Sequence, residues 1–223
     1  MKPKQDQRSA YLQRLILQTR QASIMVSLTM IGFVIGLVVI MQQTSEGLFL
    51  KLNKVWSPAA DVFFHYYTYM GDGLTFTLVA LIIIAHFRSR WHFYTMLGGT
   101  LGSLVVTQGL KRLVFDEALR PLAYFGDRGI QLRLVEGVTV HHHNTFPSGH
   151  SISAFAMFTL LSILTKNKAW QVLYFVAACL AGYSRIYLSQ HFPADVVVGM
   201  LGGTIIGLLA GSYWLPRADK DLA

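Results

Sequence analysis

Charge is scarce in this chain. Only 13% of its 223 residues are Asp, Glu, Lys or Arg, and 53% are hydrophobic. Soluble domains carry roughly 25% charged residues, so an ordinary water-soluble fold is excluded. Cysteine is almost absent. The single Cys179 cannot form an internal disulfide, and its apolar surroundings suit a small buried hydrophobe. Acidic residues are also few, 11 against 19 Lys and Arg, for a net charge of +8. No nucleic-acid recognition motif accompanies this excess, so no nucleic-acid partner is expected. Basic residues flanking membrane spans account for it instead. The chain shows no internal repeat and no low-complexity tract. No small-residue cleavage site follows its first apolar run, which is too long for a secretory leader and reads as a retained helix.

What the chain does have is long uncharged runs. Ala22 to Met41 and Val196 to Leu215 are each twenty residues without a charge. As helices they would be about 30 Å long, the thickness of a bilayer core. Four further segments extend the pattern: Gly71 to Phe87, Trp91 to Leu110, Pro147 to Thr165 and Trp170 to Tyr187. The last span is drawn from about Phe192 to Leu215. The expected fold is all-α, a polytopic integral membrane protein with six transmembrane helices. Residues 1–21 form an N-terminal tail, 22–215 one membrane domain, and 216–223 a C-terminal tail. The apolar residues between Tyr11 and Ile16 suit a short amphipathic helix on the membrane surface. The aromatic stretch Val62 to Met70 suits an interface. Gly98, Gly99 and Gly102 suit close helix contact.

An even number of spans puts both termini on one side. That side carries Lys2, Lys4, Arg8, Arg14, Arg20, Arg88, Arg90, Lys166, Lys168, Arg217 and Lys220. The positive-inside rule makes it cytoplasmic. Lys111, Arg120, Pro147 to His150 and Ser184 to His191 then fall together on the extracytoplasmic face of the cell (inner) membrane.

Polar groups among membrane spans are expensive and mark function. His191 and Asp195 stand four apart, so they can share a face. A carboxylate on one imidazole nitrogen fixes the tautomer and leaves the other nitrogen free, as a nucleophile needs. In Pro147-Ser148-Gly149-His150 the proline suits a first helical turn and the glycine lets backbone approach a ligand. The helix start offers an anion site, to which Ser148 adds a donor. His150 is placed to protonate a leaving oxygen. Lys111, Arg120 and Arg185 are cations that could bind phosphate oxygens. His141-His142-His143 is not expected to hold a metal: consecutive histidines cannot easily face one ion, and no carboxylate or cysteine stands at ligand spacing. A solvated loop touching a substrate headgroup is expected there. His65, His86 and His92 are expected to have no chemical role.

Jointly these residues resemble the type-2 phosphatidic acid phosphatase family, which is related to vanadium haloperoxidases. The family pattern is Lys-x6-Arg-Pro, then Pro-Ser-Gly-His, then Ser-Arg-x5-His-x3-Asp. The second part is complete at Pro147 to His150. The third is complete at Ser184, Arg185, His191 and Asp195. The first departs: Arg120-Pro121 is present, but eight residues separate Lys111 from Arg120 and seven separate Arg112 from it. Which of the two fills the cation position stays open. The resemblance covers about Val105 to Leu215. It implies a lipid phosphatase in which His191 forms a phosphohistidine, Asp195 orients it and His150 acts as the acid. Lys111, Arg120, Ser148, Gly149 and Arg185 would hold the phosphoryl oxygens. It implies no metal and no cofactor. The partners it implies are membrane lipids and a lipid phosphate or diphosphate: undecaprenyl diphosphate, phosphatidylglycerol phosphate, phosphatidic acid or a lipid A phosphate. A lipid phosphotransferase using the same phosphohistidine, and a non-enzymatic membrane protein, are the alternatives.

Overall fold

A computed structural model describes residues 4–87 and 90–221. Lys2 and Arg88 of the topology argument lie outside the described residues. All regular elements among the described residues are helical. They run α1 Lys4–Gln21, α2 Ser23–Gln43, α3 Ser45–Asn53, α4 Pro58–Tyr67, a 3-10 turn Thr68–Gly71, α5 Gly73–Phe87, α6 Arg90–Leu113, α7 Pro121–Gly126, α8 Gly149–Thr165, α9 Lys168–Tyr187 and α10 Pro193–Asp221. A helix occupies each of the six expected spans. By length and composition, α2 and the Pro193–Pro216 part of α10 are long and apolar enough to cross a membrane; α5 and α8 are shorter apolar helices. The segment Tyr11 to Ile16 is helical as part of a longer helix, α1, and the aromatic stretch Val62 to Met70 divides between α4 and the 3-10 turn.

Local chemistry sets several helix starts. Thr44, Ser57 and Asn167 each accept backbone N–H bonds as N-caps of α3, α4 and α9, and Pro58 opens α4. α2 has no side-chain cap of its own. Gln171 of α9 does that work from outside. Its Oε1 accepts from the amides of Ile24 and Met25, and its Nε2 donates to the Gln21 carbonyl, joining α1 to α2.

α8 is the central helix. Eleven of its 17 residues are buried, from Ser151 to Ile163. It packs against α10, α9 and α6. The α8–α10 contact depends on missing side chains. A Cβ on Gly203 would collide with the Ile152 carbonyl and lie 2.8 Å from Phe155 Cβ; one on Gly207 would lie 2.8 Å from the Ala156 carbonyl. Backbones this close gain dispersion contacts that larger residues would prevent. α6 meets the same core through Thr95, Gly99, Ser103, Thr107 and Lys111, a buried row spaced by four. This polar, small-residue row explains why α6 reads as less apolar than α2 while still burying one face.

Candidate active site

The site forms where α6, α8, α9 and α10 end or begin. α9 stops in a tight turn: the amides of Gln190 and His191 both donate to the Arg185 carbonyl, at 2.8 and 3.1 Å, and Ser189 takes φ 56°. Asn53 of α3 holds this turn, its Nδ2 donating to the carbonyls of Ile186 and Tyr187 and to Ser189 Oγ. The turn carries His191 to a point two residues before α10, not onto that helix. His191 still meets Asp195, with Nδ1 3.2 Å from Oδ2. Both are nearly inaccessible, 2% and 3% exposed.

Three donors converge on that one Asp195 oxygen: His191 Nδ1, the Thr145 hydroxyl at 2.5 Å and the Phe192 amide at 2.9 Å. Thr145 Oγ1 also lies 3.3 Å from His191 Nδ1. Accepting at Oδ2 places the ring proton on Nδ1 and leaves the Nε2 lone pair free. Burial first, then the charges of Arg120, Lys111 and Arg185, holds the His191 imidazole well below its ordinary range. Both effects favour the neutral ring.

Pro147 is not in the first turn of α8, which corrects the sequence expectation. Ser148 is the N-cap, its Oγ accepting from the Ser151 amide and hydroxyl at 3.3 and 2.9 Å, so the helix begins at Gly149. The Ser148 amide donates to the Asp195 carbonyl at 3.1 Å, which ties the Pro-Ser-Gly-His segment directly to α10. Gly149 and His150 are then the first two residues of α8, where helix amides are left for a ligand. A Cβ on Gly71 of the 3-10 turn would lie 2.7 Å from the His150 carbonyl, so that turn buttresses the start of α8.

The cations are buried around this pair. Arg185 is 8% exposed; its Nη1 donates to Thr68 Oγ1 at 2.5 Å, while its Nε is buried without a hydrogen-bond partner. Arg120 is the N-cap of α7. Its Nε donates to the His143 carbonyl at 2.9 Å, and its Nη1 to the Gln190 side chain at 2.8 Å and carbonyl at 3.1 Å. Lys111 is buried while Arg112 is exposed, so the structure places Lys111 inward. Its charge reaches Arg120, Asp195 and Arg185. The two extra residues between Lys111 and Arg120 are taken up after α6 ends, where the Val114 and Phe115 amides both bond to the Leu110 carbonyl.

A cavity of about 270 Å³ reaches this cluster, lined by Thr68, His141, His150, Arg185 and Gln190 among others. His65, given no role from sequence, also lines it. Thr145, Gln190, Thr68 and Asn53 are the residues that sequence reasoning missed. Thr145 and Gln190 adjoin motif residues in the chain, which is a signal of position but not of chemistry. Among the described residues no group of three His, Cys, Asp or Glu could hold a metal ion. The arrangement can hold an anion among three cations beside a neutral imidazole nitrogen.

Comparison with known proteins gives this geometry a family. A model of the PAP2 superfamily matches residues 92–218. The chain is 25% identical over 183 residues to a lipid A 4'-phosphatase of Porphyromonas gingivalis, covering 78% of this chain and 77% of that protein. It is 27% identical over 134 residues to the undecaprenyl-diphosphatase BcrC of Bacillus subtilis, covering 59% of this chain and 63% of the relative. Among solved structures, LpxE of Aquifex aeolicus superposes with a TM-score of 0.63 at 30% identity, covering 74% of this chain and 93% of that one. A transmembrane PAP2-type phosphatidylglycerolphosphate phosphatase of Bacillus subtilis superposes with a TM-score of 0.62, covering 92% of this chain and 98% of that one. At 19% identity that second likeness speaks for the fold alone.

Proposed function

The chain belongs to the PAP2 superfamily and is a phosphatase of that family; from this premise we propose that it hydrolyses a lipid phosphate through a phosphohistidine on His191. The observation that carries the reading is the convergence of three donors on Asp195 Oδ2, which leaves His191 Nε2 free among three buried cations. Nε2 attacks phosphorus, and the bond to the leaving oxygen breaks as the new P–N bond forms. His150 protonates the departing oxygen, then takes a proton from the water that attacks the phosphohistidine. Asp195 orients His191 throughout. Lys111, Arg120, Arg185, Ser148 and the Gly149 amide hold the phosphoryl oxygens, neutralising charge that grows in the transition state.

In this reading α2, α5, α6, α8, α9 and α10 all cross the membrane as the single domain 22–215. Residues 1–21 and 216–223 lie on the cytoplasmic side and the site on the opposite one. The basic residues Arg90, Lys166 and Lys168 at the far ends of α6, α8 and α9 support that orientation. The similarity to lipid A and undecaprenyl diphosphate phosphatases supports a lipid substrate with an anionic headgroup.

Trapping tests the mechanism. Purified protein in detergent is mixed with radiolabelled lipid phosphate and quenched during the first turnover. The expected wild-type product is an alkali-stable, acid-labile labelled protein, absent in His191→Ala. Label retained in His191→Ala, or label lost in alkali, overturns the assignment.

A further inference from the structure

A second cavity, of about 450 Å³, opens beside the first, at the C-terminal end of α6. Its lining is unusual. Lys111, Arg112, Arg120, His141, His142 and His143 form it together with two carboxamides, and no carboxylate contributes. Every lining side chain therefore carries an N–H donor. The neighbouring cavity beneath α4 differs, since Asp61 and Glu136 line it. Lys111 and Arg120 also belong to the cation cluster around His191, so the phosphoryl site and this cavity share a wall.

The histidine loop is held by its backbone, which leaves its rings available. The Arg120 amide donates to the His142 carbonyl at 2.8 Å, Arg120 Nε to the His143 carbonyl at 2.9 Å, and the Thr145 amide to the Ala118 carbonyl at 3.1 Å. With its amide oriented to donate, Asn144 reaches the carbonyls of Lys111 and Asp116 at 3.2 and 3.1 Å. The three imidazoles are exposed, as is Arg112. A neutral imidazole still offers one N–H, and Arg112 brings a permanent charge and a fork of donors.

We propose that this cavity is a second anion subsite, in which Arg112 and His141 to His143 hold the phosphate that remains on the lipid, so that the preferred substrate class is a lipid diphosphate. The inference rests on the phosphatase reading above and adds the substrate class to it. A single phosphate ester fills only the His191 side of the shared wall. In a diphosphate the two phosphates share one bridging oxygen, so they need adjacent sites, and the two cavities adjoin at His141, which lines both. His191 Nε2 forms a bond to the terminal phosphorus, the bridging P–O bond breaks, and its electron pair leaves on the lipid monophosphate. Arg112 and the imidazoles stabilise that anion, and water then releases inorganic phosphate from His191. Arg112 thereby has a role separate from that of Lys111, next to it in the chain.

The test compares farnesyl diphosphate with farnesyl monophosphate on the full chain in detergent. Wild type is expected to favour the diphosphate in kcat/KM. The double variant Arg112→Gln/His142→Ala is expected to lower the diphosphate-to-monophosphate ratio on the order of tenfold or more, the effect of losing hydrogen bonds to a charged group. An unchanged ratio, or a wild type that prefers the monophosphate, overturns the subsite while leaving the phosphatase reading intact. Release of phosphate from neither compound overturns both. Inhibition of wild type by inorganic pyrophosphate and by phosphate gives a reading that needs no variant to fold. Pyrophosphate is expected to inhibit about tenfold more strongly, and equal inhibition overturns the subsite.

Discussion

The two ends of the α8–α10 contact are built on opposite principles. In its middle, Gly203 and Gly207 let backbone meet backbone with no side chain between. At its site end polar bonds take over: the Ser148 amide, at the start of α8, donates to the Asp195 carbonyl of α10, and Thr145, His191 and Phe192, in the segments leading into the two helices, meet on Asp195 Oδ2. The middle holds the helices at a fixed separation. In the proposed mechanism the end uses that separation to set His191 as the nucleophile. Steric contact tolerates no added volume, whereas the polar end tolerates changed side chains at the cost of rate. Stability and catalysis should therefore respond to different residues along one helix pair.

His191→Ala is the most severe change at the polar end. Phosphate release should fall at least about a thousandfold, as expected for loss of a covalent nucleophile. The melting temperature in detergent should stay within a few degrees, since the close contact at Gly203 and Gly207 is untouched. A large drop in melting temperature would merge the two ends into one structural unit. Gly203→Val attacks the middle. Overpacking costs about 1–3 kcal/mol or more, so thermal stability and folded yield should fall clearly. Folded material that remains should keep its KM. Normal stability here would mean that the close approach is unimportant.

Thr145→Val is a gentler probe. It removes one of three donors from Asp195 and keeps the volume similar. kcat should fall about tenfold, the scale of one hydrogen bond to a charged group, with KM little changed; Thr145→Ser should restore most of it. Loss of KM instead would place Thr145 against the substrate. The smallest effect is in the pH profile. An ordinary imidazole titrates near pH ~6.5, but burial and three cations depress His191 below that. The acid limb of kcat/KM that His191 causes should therefore lie below pH ~6.5. Arg120→Gln should move that limb upward by removing one repelling charge. The sign for stability follows from the same shift. The unfolded chain takes up this proton first, so stability due to a neutral His191 is lost as pH falls below the ordinary imidazole value. A limb that stays in place in Arg120→Gln would show that burial alone sets this titration.

Much of the site was legible because its residues are polar in an apolar chain. His191, Asp195, Arg185, Ser148, Gly149, His150 and Arg120 stand out by type and spacing, and they do converge. Thr145, Thr68, Gln190 and Asn53 did not stand out, since Thr, Gln and Asn are unremarkable beside loops and act here only through contacts with residues distant in sequence. The row Thr95, Gly99, Ser103, Thr107, Lys111 was only partly seen, because small polar residues do not register as an apolar face. Pro147 was misplaced by two positions. Its local preference for a first turn lost to Ser148, whose hydroxyl captures the Ser151 amide.

Composition and spacing alone determined the all-helical class, the positions of six helices and the candidate site residues. Each follows from local rules: hydrophobic length, helical period and the scarcity of charge. Tertiary structure alone decided that Lys111 turns inward and Arg112 outward, that Thr145 completes the Asp195 network, and that the histidine loop lines a cavity with no carboxylate. Those outcomes depend on where separate segments meet in space, and hydrogen bonds between segments far apart in the chain leave no periodic trace in the sequence.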